Sequence, residues 1–357
     1  MSRAQAERAA WIVTAFGLIG AVAGWAIAPE DFPHAWLGAL VAWIGWPLGC
    51  LALLLIHALT GGRWGDTIRL QLAAGLGTLW LLPLALIPLA IVLPSLYPWL
   101  RHDTAANLPN RFYLNGTFLL LRTIVYLAVW LGLTWLIRRA LRQGGSEAAL
   151  ARIAPAALIL LAITVTFAAI DATMSLAPHF SSSVYGLIEM AEMGLFALSV
   201  SILAAVLTPV WEENGLEALG ELLMALVILR AYLDFVQFLI VWQSNLPNEA
   251  QWYLPRTTGG WGAAASLSAL CHFVLPFLLL LSPRVRRSRR GIAAVAGVLA
   301  LGTVIRSWWL VLPASGRGLS VLDVLTMLGL LGAAASVALS TPAGPRVPRA
   351  EGTRSHA

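Results

Sequence analysis

The sequence predicts an all-α protein that crosses a membrane about ten times, as a single transmembrane domain over residues 1–340. Three observations predict this fold class. Hydrophobic residues make up 59% of the chain and charged residues 11%, whereas soluble domains carry roughly 25% charged residues. Apolar stretches of about 20 residues, enough to cross a hydrocarbon layer of ~30 Å, recur along the chain. Arginines are concentrated in one set of the connections between these stretches.

The predicted spans follow one another with short connections, none long enough to fold by itself. They cover residues 10–28, 35–59, 70–96, 112–137, 153–175, 184–208, 219–244, 261–283, 291–312 and 319–340. The third is the least regular, because proline removes a helix hydrogen bond and bends the chain. Four prolines are expected to kink it: Pro83, Pro88, Pro94 and Pro98.

The basic residues, all 23 of which are Arg, predict the orientation. Sixteen lie in the terminal segments and the even-to-odd connections, four lie in the opposite connections, and three lie inside spans. We call the two sides of the protein the Arg-rich and the Arg-poor side. Arginine retains connections in the cytoplasm, so both termini are expected there, with residues 341–357 as a disordered tail. No basic domain remains that would bind nucleic acid.

A weak internal similarity indicates two parallel four-helix bundles, spans 2–5 (35–175) and spans 6–9 (184–312), with two flanking helices. The fourth span ends in LIRRALR and the eighth in SPRVRRSRR. Arg122 and His272 then lie at similar depth in corresponding spans, and Asp171 and Arg306 near corresponding ends. Parallel repeats are a known way to build polytopic proteins.

Ionisable residues inside spans are costly, so they are the first functional candidates. Glu189 and Glu192 are spaced i, i+3, and Arg230, Asp234 and Gln237 are spaced i, i+4, i+7, so each set shares one helix face. We expect a proton path or quinone contact in the Arg-poor half. Its candidate residues are Asp171, His179, Glu189, Glu192, Arg230, Asp234, Gln237 and His272. A structural Arg230–Asp234 ion pair is the alternative for that pair.

Secondary candidates are Arg122, Arg306, His57 and Asp66. The last two lie near the Arg-rich end and would form the other end of a proton route. No metal site is expected, because Cys50 and Cys271 form no CxxC pair. No two His lie on facing spans at matching depth, as a b-type haem would require. The chain alone is therefore expected to bind no metal or haem.

Five segments, in order over roughly residues 40–290, carry a resemblance. They are LTGGRWG (59–65), RFYLNGTFLLLR (111–122), DATMSLAPHFSSSVYG (171–186), DFVQFLIVWQSNLPNEAQWYLPRTTGGW (234–261) and HFVLPFLLLLSPRVRR (272–287). The set resembles the second quinone-binding membrane subunit of quinol:cytochrome c oxidoreductase, or alternative complex III. That subunit belongs with the polysulfide-reductase-like (NrfD-like) membrane subunits.

The resemblance implies a multi-pass subunit of a respiratory complex in a bacterial inner membrane. Its implied partners are a second NrfD-like membrane subunit, an iron–sulfur protein and c-type cytochromes, which hold the iron–sulfur clusters and haem c. This chain would contribute a proton path and a quinone contact, without a catalytic residue of its own. Two alternatives stay open: a secondary transporter using the charged cluster, and a purely structural membrane anchor.

Overall fold

The computed structural model describes residues 3–101, 110–142, 147–208, 215–244 and 247–341. These residues form helices and no strand, and ten of the helices are long and apolar enough to cross a membrane. We number them spans 1 to 10: Arg3–Ile27, Phe32–Thr60, Arg63–Leu96, Gly116–Arg142, Glu147–Ala172, Tyr185–Val206, Leu216–Gln243, Gly259–Leu281, Arg289–Val311 and Val321–Ser340. The predicted all-α, multi-pass membrane fold is confirmed.

Differences from the predicted boundaries lie at the helix ends. Span 1 begins at Arg3 rather than at residue 10, and span 3 begins at Arg63 rather than at residue 70. The extra turns carry charged residues, which end an apolar stretch without ending the helix. A short helix, Pro247–Thr257, follows span 7 and is called the loop helix. Of the predicted disordered tail, all but Thr341 lies outside the described residues.

The predicted irregularity of span 3 is located at one break. The helix tightens to a 3₁₀ turn at Thr78–Leu81 and resumes as an α-helix over Leu82–Leu96. Pro83 lacks the N–H that would bond to the carbonyl of Leu79, which explains the break here. Pro88 and Pro94 remain within the helix.

Spans 2 and 6 form the centre of the molecule and pack on each other. In the first unit (spans 2–5), span 2 packs on spans 3 and 5, and span 4 packs on span 5. In the second unit (spans 6–9), span 6 packs on spans 7 and 9, and span 8 packs on span 9. Span 2 also contacts span 9, while span 6 contacts span 5. These contacts correspond between the two units, whereas the packing of span 3 on span 6 has no counterpart of similar extent between spans 7 and 2. We call spans 2–5 the first bundle and spans 6–9 the second bundle.

Spans 1 and 10 flank the bundles and pack closely on each other. A Cβ atom at Gly17 would lie 2.3 Å from the backbone nitrogen of Gly329, so glycine is required for this approach. Small residues at such crossings let helix backbones touch, which is a main source of helix association in lipid. Span 10 in turn packs on span 2, and so joins span 1 to the rest of the protein.

Candidate functional site

Five ionisable side chains from four spans are buried around the middle and in the Arg-poor half of the second bundle. We call Glu189, Glu192, Arg230, His272 and Arg306 the second-bundle network. Each is between 2% and 6% exposed. Because a charge in hydrocarbon is costly unless it is paired, their mutual contacts decide whether they are tolerated.

Glu192 on span 6 is the centre of the network and contacts three other spans. One carboxylate oxygen accepts a hydrogen bond from Arg230 Nε at 2.8 Å. The other accepts one from the Thr303 hydroxyl at 2.6 Å and lies 3.1 Å from His272 Nε2. The carboxylate is therefore surrounded by donors, which compensates for its removal from water.

Glu189, one helical turn from Glu192, forms a separate ion pair with Arg306 of span 9. The guanidinium donates to both carboxylate oxygens, at 2.5 and 3.3 Å. A cavity of about 10 Å³ lies between spans 2, 6 and 9 and is lined by both glutamates, Thr303 and Arg306. That volume is near the minimum for one water molecule, so the space beside the two glutamates is large enough for one water.

His272 is positioned by a local change in span 8. The helix widens to a π turn at Leu270–Val274, and Pro276, just beyond, cannot donate to the carbonyl of His272. Single π turns are frequent at functional sites. Nδ1 of the ring lies 3.2 Å from both the hydroxyl and the carbonyl oxygen of Ser268. Gly302 of span 9 makes room for the ring, since a Cβ there would lie 3.0 Å from it.

Asp234 contacts the network from its edge. It accepts a hydrogen bond from Arg230, one turn earlier on span 7. Unlike the five network residues, its side chain is 52% exposed. The predicted Arg230–Asp234 pair is therefore present, but Arg230 is shared between Asp234 and Glu192.

The first bundle contains a simpler ion pair. Arg122 of span 4 donates to both oxygens of Asp171 at 2.8 and 2.9 Å, and Tyr126 donates to the same carboxylate at 2.7 Å. The guanidinium also stacks over the ring of Tyr113 at 3.8 Å. Asp171, predicted to belong with the charged cluster of spans 6–8, is instead paired within spans 4 and 5.

An open cleft lies on the Arg-poor side next to Gln237. Its volume is about 470 Å³, and it is lined by Met174, Ser181, Ser182, Ser183, Gln237, Ile240, Val241 and Glu249. The buried Gln237 side chain accepts a hydrogen bond from Ser182. His179 is exposed on the connection between spans 5 and 6. Gln237 and His179 therefore lie outside the hydrogen-bonded network.

The two secondary candidates at the Arg-rich end lie next to each other, a contact that the sequence did not predict. His57 Nε2 lies 3.5 Å from Asp66 and 3.0 Å from the carbonyl oxygen of Gly62. The glycines of LTGGRWG explain the local geometry: Gly61 and Gly62 have φ of 63° and 103°. A Cβ at Gly65 would lie 2.0 Å from the His57 ring.

A buried cation that has no carboxylate partner among the described residues fixes the loop helix. Arg256 is 2% exposed and donates to the backbone carbonyls of Trp252 and Leu310, both at 2.8 Å. Leu310 lies in the last turn of span 9, where helix carbonyls lack intrahelical partners and attract positive charge. Burial lowers the pKa of Arg256 to about 10, so the side chain remains charged at neutral pH and caps span 9.

Sequence reasoning located the five ionisable residues of the network and missed the hydroxyl groups that bond to the buried ionisable side chains of both bundles. Glu189, Glu192, Arg230, His272 and Arg306 all belong to the network. Thr303, Ser268 and Tyr126 were missed, although two signals were readable. Thr303 precedes Arg306 by three residues and Ser268 precedes His272 by four, so each lies on the same helix face as a candidate.

Comparisons with known proteins give no family for this chain: no protein-family model matches it, and no curated protein matches it. The family resemblance therefore rests on the motifs alone and stays a prediction. Among the described residues, no group of three or more His, Cys, Asp or Glu is placed to hold a metal ion. The fold and the site define a multi-pass membrane protein with a buried, charge-paired network.

Proposed function

We propose that this chain is a membrane subunit of a respiratory quinol:cytochrome c oxidoreductase and that the second-bundle network is part of a proton path. The respiratory assignment rests on the five sequence segments. The observation that carries the proton path is the hydrogen-bonded series Ser268–His272–Glu192–Thr303, in which the last three residues are buried within the spans. A structural ion pair needs only two partners. A series of groups that exchange donor and acceptor roles is what proton transfer requires.

The relay step follows from the tautomers of His272. When the Ser268 hydroxyl donates to Nδ1, the ring carries its proton on Nε2 and donates it to Glu192. As that proton passes to Glu192, the Ser268 hydroxyl proton passes to Nδ1, which leaves a neutral ring in the other tautomer. A proton that reaches Ser268 from outside the network restores the hydroxyl. Arg230 holds Glu192 ionised between transfers, since its guanidinium donates to the opposite carboxylate oxygen.

Beyond Glu192 the path continues toward the Arg-poor side. The cavity of about 10 Å³ adjoins Glu192 and Glu189, so one water would connect the two carboxylates. Tyr185, one turn from Glu189, donates to the Thr173 hydroxyl at 2.7 Å near the exposed connection that holds His179. The positive-inside bias makes this the periplasmic exit, and His57 and Asp66 lie at the cytoplasmic end.

The small volume of the cavity also favours the proton path over the transporter alternative. A substrate site among Glu189, Glu192, Arg230 and Asp234 would need room for a solute, but the carboxylates and guanidiniums pair with one another. The adjoining space of about 10 Å³ has room for a water molecule and nothing larger. This favours protons over solutes as the transported species.

For the quinone contact we propose the cleft beside Gln237. Its volume of about 470 Å³ is in the range of about 300–1,000 Å³ typical of small-molecule sites. Its wall combines polar groups, including Gln237 and Glu249, with the apolar Ile240 and Val241. A photoreactive quinone should label this wall, and Gln237→Leu should lower that labelling.

The deciding experiment measures quinol:cytochrome c turnover and proton release by the assembled complex in liposomes. Glu192→Gln keeps the shape of the side chain but removes the group that accepts the proton. We expect assembly to be retained and proton release per electron to fall, with turnover lowered roughly 10²-fold if transfer limits the rate.

The matched control is Asp171→Asn in the first bundle, which also neutralises a buried, Arg-paired carboxylate. This variant should leave proton release per electron unchanged. Normal assembly with normal proton release in Glu192→Gln would contradict the proton path and leave the structural-anchor interpretation. Purification of the chain without any cytochrome would contradict the respiratory assignment.

A further inference from the structure

An unbalanced charge lies on the side of the second bundle that faces away from the centre. Arg230 serves two carboxylates, Glu192 and Asp234. With the neutral His272 of the relay beside Glu192, the group carries one net negative charge when both carboxylates are ionised. Glu192 is buried, whereas the Asp234 side chain is 52% exposed. The excess negative charge is therefore located at the outer surface of span 7.

Asp234 lies inside the hydrocarbon layer. Span 7 has 28 residues and is about 42 Å long, so a centred layer of ~30 Å leaves about 6 Å at each end. Asp234 is about 14 Å from Gln243, the last residue of the span. Lipid tails offer a carboxylate at this depth neither a counter-charge nor water, and Arg230, its partner, is shared with Glu192.

The neighbouring surface of span 8 is also uncovered. Its first segment, Gly259–Ala269, reads GGWGAAASLSA and contains no buried residue. This segment packs on span 9 and the loop helix, whereas the extended contacts with span 7 begin at the π turn Leu270–Val274. Spans 7 and 8 therefore separate toward the Arg-poor side. Glycine, alanine and serine are the residues that membrane helices use to pack on other helices.

We infer that a transmembrane helix of another protein subunit packs between spans 7 and 8 in the Arg-poor half and presents a cationic side chain to Asp234. The charge count decides this occupant, because lipid tails offer no counter-charge and a second copy of this surface would add negative charge. The inference rests on the chain working in a complex, as proposed above, and is independent of proton conduction.

The test uses a photo-crosslinking amino acid at Leu267 in native membranes. Leu267 is 45% exposed on span 8, and Ile124 of span 4, 54% exposed, is the matched control. Each lies about 12 Å from the first residue of its span, and the two spans occupy corresponding places in the bundles. Leu267 should give an adduct with one membrane-spanning segment of a different protein that contains Arg or Lys, and Ile124 should give lipid adducts.

Charge variants then test the contact itself. Asp234→Asn in the Leu267 probe protein should lower the yield of the adduct roughly tenfold or more, because the partner's buried cation loses its counter-charge. Asp234→Glu should retain most of it. Lipid adducts alone at Leu267, an adduct with a second copy of this chain, or a yield unchanged by Asp234→Asn would each overturn the inference.

The outcome also separates this inference from the proposed function. If the Leu267 adduct is found and depends on Asp234, but the complex contains no cytochrome, the docking surface stands and the respiratory assignment fails. If the complex carries cytochromes while Leu267 captures lipid, the assignment stands and the docking surface fails.

Discussion

The two bundles pack alike but bury charge in different ways. In the first, Arg122 and Asp171 form one bidentate pair with Tyr126 as an added donor. In the second, Glu192 is shared among Arg230, His272 and Thr303, and Glu189 pairs with Arg306 across an adjoining cavity. The first arrangement satisfies every charge locally and needs no further group.

The difference shows that similar helix packing does not determine what a bundle can do. An isolated pair has one favourable protonation state, because each group depends on a single partner of opposite charge. A network in which one carboxylate has several donors can redistribute protons while it remains hydrogen-bonded. We therefore expect the first bundle to contribute stability and the second to contribute proton transfer.

The strongest test of this comparison is removal of one cation from each bundle. Arg230→Gln leaves Glu192 with fewer donors and Asp234 without a partner, and Arg122→Gln leaves Asp171 with Tyr126. Each should lower the free energy of unfolding by about 3–5 kcal/mol, with Arg230→Gln the larger, as measured by SDS-induced unfolding in mixed micelles.

Second-site variants give the control. Asp171→Asn should restore most of the stability lost in Arg122→Gln, since that pair is isolated. Glu192→Gln should restore only part of the loss in Arg230→Gln, because Asp234 remains unpaired. Equal rescue in both bundles would show that the second-bundle network behaves as a simple pair.

A smaller effect is expected when a neutral donor is removed from each carboxylate. Tyr126→Phe deletes the hydroxyl bonded to Asp171, and His272→Phe deletes the ring nitrogens beside Glu192. Both should cost about 1–3 kcal/mol of stability, as expected for a buried acceptor that loses a donor. Only His272→Phe should lower proton release per electron, and an equal loss in Tyr126→Phe would remove the functional distinction between the bundles.

The smallest effect is expected at Ser268. Ser268→Ala removes the hydroxyl at Nδ1 of His272 but keeps the backbone carbonyl, which accepts from the ring at the same distance of 3.2 Å. Stability should change by less than about 1 kcal/mol, while proton-coupled turnover falls several-fold, as measured in liposomes. Ser268→Thr retains a hydroxyl and should behave like the natural protein, so a loss in that variant would indicate packing instead of proton transfer.

The fold was predictable because hydropathy and Arg distribution depend on the membrane, which acts on each span separately. Depth estimated from the sequence grouped Glu189, Glu192, Arg230 and His272, which the structure brings together. Which spans are neighbours depends on tertiary packing, which a single sequence does not reveal. Asp171 was therefore assigned to the second-bundle charges, although Arg122 of the adjacent span is its partner. The 52% exposure of Asp234 depends on the separation of spans 7 and 8 and was unreadable for the same reason.

The contact between spans 1 and 10 brings the two ends of the described chain together. Arg3 donates to the carbonyl of Leu339 at 2.8 Å, and Ser340 donates to Glu7 at 2.8 Å. Both ends of the described chain therefore lie on the same side of the membrane. This conclusion does not depend on the orientation of the connections between spans. The backbone nearly closes into a ring, so a circular permutant that joins these ends and opens the chain between two other spans would preserve every helix and its direction.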